Sequence, residues 1–282
     1  MVFVPERLTA ACRRSASRMT WLRLLPDVIR RLQERWALSL DAPFNGCSCS
    51  WVAPATRRDG SRAVLKLGIP HMEGAHELQG LRIWDGDPTV RLLDADDEWN
   101  AMLLEACEPG VTLGQLPEPD QDVVIARLLR RLWQKPAPAP FRPLADMTAY
   151  WTAESQAAAA RWPDAALTQQ GLRLFAELSR PSPDDVLLAT DLHAGNVLRA
   201  QREPWLVIDP KPFVGDRTYD ATQHLLNCRS RLHADPRGTI RRVADLLELD
   251  DNRLRLWTFA RLAAEPRDRW NADTLALARS LA

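Results

Sequence analysis

Lysine is almost missing from this chain of 282 residues. Lys and Arg together number 37, yet lysine stands only at Lys66, Lys135 and Lys211, so arginine supplies nearly all of the positive charge. Asp and Glu also number 37 and the formal net charge is zero. That balance gives no basis for a general affinity for nucleic acid, which is not expected as a partner. Long apolar runs are absent too: none approaches the roughly 18–20 residues that a membrane-spanning helix needs. Pro5, Glu6 and Arg7 stand where a secretion signal would need its apolar stretch. No membrane contact and a cytoplasmic location are therefore expected. The cysteines number 5, an odd count, and Cys47-x-Cys49 has no matching pair elsewhere. Free thiols in a reducing compartment are expected rather than a zinc site. There is no Walker-type glycine loop and no internal repeat. With 46% hydrophobic and 26% charged residues, the length suits one large or two medium domains around a substantial core. The Arg/Ser-rich segment 13–18 is expected to be a disordered leader or part of an overlong start.

What is present concentrates in residues 184–220. Two short apolar runs, Val186-Leu187-Leu188 and Trp205-Leu206-Val207-Ile208, each lead into an aspartate. The first opens Asp191-Leu192-His193-Ala194-Gly195-Asn196, after which Val197-Leu198 reads as a third short strand; the second ends at Asp209-Pro210-Lys211. Asp, Asn and Asp in that order on a strand–loop–strand frame suit phosphoryl transfer. Asp191 can accept the proton of an attacking hydroxyl, and Asn196 and Asp209 offer the oxygen ligands that Mg²⁺ prefers. Each Asp taken alone is equally well explained as a strand end or a helix cap.

Upstream, residues 21–39 carry apolar positions at helical spacing, with Pro26 expected near the helix start. Residues 42–54 read as strand–turn–strand around the small residues Gly46, Ser48 and Ser50. Arg58-Asp59-Gly60 signals a hairpin turn into a strand over 61–67. Lys66 lies within that strand, and buried there it would require an anionic partner. The helix expected over 71–84 offers Glu73 and Glu77. Strands come next at 90–94 and 101–105. Past Pro109-Gly110 the pattern is helical over 120–134, then a proline-rich connector (Pro136, Pro138, Pro140, Pro143), helices near 146–161 and 164–179, and after Asp220 helices near 220–232, 237–248 and 252–264, with a tail helix from Asn271.

Residues 191–196 together with Ile208-Asp209-Pro210-Lys211 resemble the aminoglycoside phosphotransferase branch of the protein-kinase-like fold. The similarity is to the streptomycin 6-phosphotransferase group of aminoglycoside/hydroxyurea resistance kinases, which has Asp-Pro-Lys where protein kinases have Asp-Phe-Gly. The resemblance implies an α+β, two-lobed fold. Residues 1–106 would form the nucleotide-binding lobe, an antiparallel sheet with one helix, and residues 107–282 a mainly helical catalytic lobe. It implies ATP and Mg²⁺ as cofactors and a small-molecule hydroxyl, aminoglycoside-like, as acceptor. Asp191 would be the base, with Asn196 and Asp209 as metal ligands. Lys66 would bind the nucleotide phosphates and pair with Glu77, which sits in Glu-Leu-Gln-Gly-Leu-Arg-Ile-Trp, a match to the family's helix; Glu73 remains open. The backbone around Gly46 and Ser48 would cover the phosphates, and Glu105-Ala106-Cys107 would be the hinge that receives adenine.

One departure stands out. The family often has a backbone-bracing His two residues before the catalytic Asp, where this chain has Ala189 and then Thr190. His193 is expected to shape the loop. Lys211 either reaches phosphate or acceptor or forms a structural ion pair. Asp220 either anchors the loop as a helix cap or faces substrate. An acidic acceptor cleft would draw on Asp146, Glu154, Asp184, Asp185 and Asp216, beside Trp151 and Trp162. Three other functions share these residues: a kinase of another hydroxylated metabolite, a weakly active kinase-like nucleotide binder, and a metal-dependent nuclease or phosphatase. The last leaves Lys66 and its Glu-bearing helix without a purpose.

Overall fold

The computed structural model describes residues 3–13, 15–137, 140–266 and 272–282. The expectations at Arg14, Pro138 and Asn271 lie outside the described residues. The chain forms two compact units. The first comprises Met1–Val111 with Arg199–Ile208, and the second Thr112–Leu198 with Asp209–Ala282.

In the first unit a five-stranded antiparallel sheet runs in the order β1-β2-β3-β5-β4, with β1 Ser39–Leu40, β2 Ser50–Thr56, β3 Arg62–Gly68, β4 Leu92–Asp96 and β5 Ala101–Glu105. Helices α1 (Glu6–Cys12) and α2 (Ala16–Arg35) share one core with Trp51, Ala53 and Ala55 of β2, Ala63, Leu65 and Leu67 of β3, and Ala101 and Leu103 of β5. Because side chains alternate across a strand, Val64 and Lys66 of β3 must face the other way. There Met102 and Leu104 of β5 meet Leu78 and Leu81 of α3 (Glu77–Trp84) in a second cluster. The alternation therefore decides which helix Lys66 can reach.

Three expectations fail in this unit. Pro26 lies inside α2 and not near its start, because the helix begins ten residues earlier, behind Ser15. Proline there removes one backbone hydrogen bond, and the apolar face of Trp21, Leu25, Val28, Ile29 and Leu32 offsets the loss by burial. Disorder over 13–18 also fails where described, since residues 16–18 already belong to α2. The helix expected from residue 71 begins only at Glu77, so Glu73 lies in the turns before it.

The second unit is mainly helical. Helices α4 (Glu118–Leu132), α5 (Leu144–Ala157) and α6 (Ala165–Leu178) precede strand β6 (Val186–Leu188); β7 is Val197–Leu198. Strand β8, Leu206–Val207, belongs to the first unit, where Val207 exchanges backbone bonds with Pro88 and Val90 at 3.0 Å each. The second unit continues with β9 (Phe213–Gly215), α7 (Arg217–Asn227), α8 (Arg229–Ala234), α9 (Pro236–Leu247), α10 (Asp251–Ala264) and α11 (Ala272–Leu281). Strand β9, which the apolar pattern does not announce, pairs antiparallel with β6, Leu188 opposite Phe213. The single helix expected over 220–232 is two helices divided at Cys228. The core is aromatic: Tyr219 meets Trp257 edge-on at 5.1 Å between ring centres, and Phe175 lies 6.4 Å from Trp257 and 6.1 Å from Trp151.

Candidate active site

In the first unit Lys66 is buried on β3 and donates from Nζ to Glu77 Oε1 at 2.5 Å, the two side chains being 6% and 3% exposed. The choice between Glu73 and Glu77 is thereby made in favour of Glu77, the first residue of α3. A buried charge pair of this kind adds little net stability, because both ions must shed water. Its presence is better explained by a need for a fixed ammonium group.

In the second unit the chain leaving β6 is bent sharply. Asp191 N donates back to Ala189 O at 2.6 Å, closing a three-residue turn around Thr190, whose φ is +46°. A β-branched residue in that region is strained and persists only where its surroundings enforce it. Asp220 enforces it. Its carboxylate, fully buried, accepts from Ala189 N at 3.0 Å, Thr190 N at 2.6 Å and Trp133 Nε1 at 2.9 Å. Burial pushes the Asp220 carboxyl up to about 6, although these three donors and Arg261 pull against it. Asp220 thus anchors the loop, but from within α7 rather than as a cap; the cap is Asp216, which accepts from Thr218 N at 2.9 Å. Thr190 Oγ1 donates to Lys211 O at 2.6 Å, and Lys211 N donates to Ala189 O at 2.8 Å. Asp220 and Thr190 therefore do the bracing that Ala189 cannot do.

Asn196 ends the loop that begins at Asp191. Its Nδ2 donates to Asp191 O at 3.0 Å and lies 3.5 Å from Asp191 Oδ2, which turns its Oδ1 to the other side. Between them His193 Nδ1 accepts from Gly195 N at 3.1 Å. A Cβ on Gly195 would lie 2.7 Å from the His193 ring, so glycine permits this packing. Burial lowers the basicity of His193, with Asp209 opposing and His224 adding to the effect. Asp209 also takes a left-handed backbone, φ +53°, and ion-pairs with Lys211 while its carboxylate stays 34% exposed. An amide oxygen and a partly exposed carboxylate are hard donors that suit Mg²⁺, which keeps part of its water shell. The donor set fits the metal.

The remaining expected residues are more scattered. Gly46 and Ser48 lie in the loop joining β1 to β2, where a Cβ on Gly46 would meet nothing within 4 Å; Ser50 is already in β2. The Glu105 carboxylate is gripped by Arg202 at 2.9–3.3 Å and by Arg91 N, and Glu105 N donates to Arg91 O, so Glu105 is committed to its own unit. Burial pushes the Cys107 thiol up to about 11. Asp216 is held by Arg253 Nε and Trp257 Nε1, both at 2.6 Å, and Glu154 accepts from Tyr150 at 2.8 Å. Asp146 lies in the first turn of α5, and Asp184 and Asp185 close the turn before β6 around Ser182. Trp151 is buried in the core and Trp162 donates to Ser155 O at 3.0 Å. Asp216 serves as a cap, Asp184 and Asp185 as turn residues, and Asp146 and Glu154 lie within α5.

Two residues at the site were not expected from the sequence. Gln223 of α7 donates from Nε2 to Asp191 Oδ1 at 2.7 Å, and Arg261 of α10 donates to Gln223 Oε1 at 2.7 Å. Gln223 carries no sequence signal, being one polar residue on an amphipathic helix. Arg261 does carry one: it is the lone charge in Trp257–Ala264, the same kind of clue as Lys66 in its strand. Asp122, His224 and Cys228 also converge, their ligand atoms within 4.8 Å, but Arg231 and Arg242 occupy the Asp122 oxygens at 2.7–2.9 Å. That cluster is an ionic core, not a metal centre.

The family model for aminoglycoside/hydroxyurea antibiotic resistance kinases matches residues 35–273. The chain belongs to that family. It is 39% identical over 273 residues to the streptomycin 6-kinase of Streptomyces griseus, covering 93% of this chain and 89% of the relative. It is 38% identical over 244 residues to the hydroxyurea phosphotransferase of Kitasatospora aureofaciens, covering 84% and 71%. Among solved structures, the choline kinase LicA of Streptococcus pneumoniae superposes with a TM-score of 0.59 at 13% identity, over 92% of this chain and 97% of that one. This last likeness speaks for the fold alone, which is the kinase-like α+β architecture expected from the family resemblance.

Proposed function

We propose that this family member is an ATP- and Mg²⁺-dependent kinase that phosphorylates a hydroxyl of an aminoglycoside, streptomycin being the first acceptor to test. The observation that carries the reading is the braced loop 189–196, which presents the Asp191 carboxylate and the Asn196 amide together. The Asp191 carboxylate orients the acceptor hydroxyl and takes its proton, while the hydroxyl oxygen bonds to the γ-phosphorus and ADP leaves. Asn196 Oδ1 and the Asp209 carboxylate hold Mg²⁺, with Lys211 fixing Asp209. Mg²⁺ held there would supply positive charge against the phosphate charge. Residues 1–106 act as the nucleotide-binding lobe: Lys66, held by Glu77, contacts the phosphates, the backbone at Gly46 and Ser48 covers them, and the hinge at Glu105–Cys107 receives adenine. Since Glu105 N–H is spent on Arg91 O, the backbone donor to adenine comes from Cys107 or its neighbours. Residues 107–282 carry catalysis and acceptor binding, and the enzyme acts in the cytoplasm.

The test is ATP consumption with streptomycin, hydroxyurea and a panel of sugar alcohols, with Asp191→Asn in parallel. Streptomycin-dependent ADP formation is expected, with kcat lowered by about 10²–10⁴-fold in the variant and nucleotide binding kept. Turnover with hydroxyurea and none with streptomycin would move the acceptor to the second relative's substrate. Near-normal turnover by Asp191→Asn would remove its role as base.

A further inference from the structure

Asp191 does not stand alone in its unit. Arginine has donors only and a carboxylate has acceptors only, so a glutamine placed between them can be oriented in one way. Arg261 takes the oxygen of Gln223 at 2.7 Å, which turns the Gln223 Nε2 toward Asp191 Oδ1, also at 2.7 Å. Arg261 is itself immobilised. It donates to Thr222 Oγ1 at 2.9 Å and to Glu265 Oε2 at 3.0 Å, and its guanidinium lies 5.1 Å from the Tyr219 ring and 5.7 Å from the Trp151 ring. Its side chain is only 5% exposed. An apolar residue would pack such a site at less desolvation cost, so the charge at this place calls for a further reason.

We infer that Arg261 and Gln223 form a positioning relay that sets the rotation of the Asp191 carboxylate for proton transfer from the acceptor. The inference rests on the reading of Asp191 as base. Asp220 fixes the backbone at Ala189 and Thr190, but nothing in that contact sets the torsion of the Asp191 side chain; the bond to Oδ1 does. With Oδ1 held by Gln223 on one side, Oδ2 is directed toward Asn196, 3.5 Å from its Nδ2, and meets the incoming hydroxyl there. A misplaced base of about 1 Å can cost on the order of 10²-fold in rate.

The experiment measures kcat, both KM values and Tm for Gln223→Met, Arg261→Met and the double variant, using ATP and streptomycin, beside Asp191→Asn. Methionine conserves volume and removes the hydrogen bond. Each single variant is expected to lose about tenfold or more in kcat, with KM for ATP within about twofold of wild type. The double variant should be no worse than the worse single one, as for groups acting as a unit. Arg261→Lys, which keeps a donor for Gln223, should recover part of the lost kcat. If Gln223→Met does not fold, Gln223→Asn, which keeps the amide but falls short of Asp191, should show the same selective loss of kcat. Wild-type kcat in Gln223→Met while Asp191→Asn is inactive overturns the relay and leaves the base standing. Additive losses that track Tm assign both residues to packing alone. An active Asp191→Asn overturns the base itself.

Discussion

A charged side chain inside an apolar segment must have a partner, and the partner of Lys66 is another buried charge. Lys66→Ala would leave the Glu77 carboxylate enclosed beside no cation, which costs about 3–5 kcal/mol. A loss of activity would then be hard to separate from a loss of fold. The neutral pair Lys66→Met with Glu77→Gln removes both charges together and keeps the volume. Its unfolding free energy is expected to stay within about 1–2 kcal/mol of wild type while its KM for ATP rises steeply. Denaturant melts and nucleotide titrations would decide it; an unchanged ATP affinity in the double variant would end the assignment of Lys66 to phosphate. At this scale the candidate residues of each unit are largely legible in the sequence, because Lys66 in the first and Asp191 and Asp209 in the second each interrupt or end an apolar run. Gln223 is not, since an amide on a polar helix face looks like any solvated residue. Asp220 is legible as an anchor but not as to how: its place inside α7 depends on Asp216 taking the cap, a choice between two aspartates four residues apart that only tertiary contacts with Arg253 and Trp257 decide.

Elements are legible where periodicity is long and hidden where a partner strand defines them. The run over 120–134 is α4 at Glu118–Leu132, and 252–264 is α10 at Asp251–Ala264. Strand β9 has three residues behind Pro210 and Pro212 and shows no alternation of its own; it exists because β6 offers it a register. Pro26 misleads for a related reason. A proline reads locally as a helix start, yet the apolar face of a twenty-residue helix outweighs one missing hydrogen bond. The tight approach of α6 to α10 is equally invisible in sequence. Gly171 sits where an added Cβ would lie 2.8 Å from Ala264 Cβ, 3.0 Å from Ala263 Cβ and 3.2 Å from Ala260 O. Neither helix can give way cheaply, since α10 also carries Trp257 in the aromatic core. Gly171→Ala should therefore destabilise by about 1–3 kcal/mol, despite the higher helix propensity of alanine. A Tm equal to or above that of wild type would show that α6 can shift.

For the molecule as a whole, equal numbers of acidic and basic residues leave no net charge to steer or solubilise it, so ionic stability must come from where the charges are placed. The densest placement is at Asp122 of α4, with no side-chain exposure, where one carboxylate binds His224 of α7, Arg231 of α8 and Arg242 of α9 at 2.7–2.9 Å. Four helices are tied through one side chain. Burial alone would push the Asp122 carboxyl up, but His224 and Arg231 outweigh it and hold the carboxyl at about 2, against an ordinary 3.8. A folded value below the unfolded one means that the ionised form favours folding. This contribution is fully present above about pH 4 and is lost as pH falls through 2, on the order of 2 kcal/mol in all. Asp220 runs the other way: its raised value of about 6 contributes stability at low pH that is lost as pH rises from about 4 through 6. The two windows barely overlap, so a urea-unfolding series from pH 7 to pH 2 can separate them. Asp122→Asn should be less stable than wild type at pH 5, and the gap should narrow between pH 4 and pH 2. A gap that stays constant over that interval would show that Asp122 ties the helices by shape and hydrogen bonding, with its charge contributing nothing.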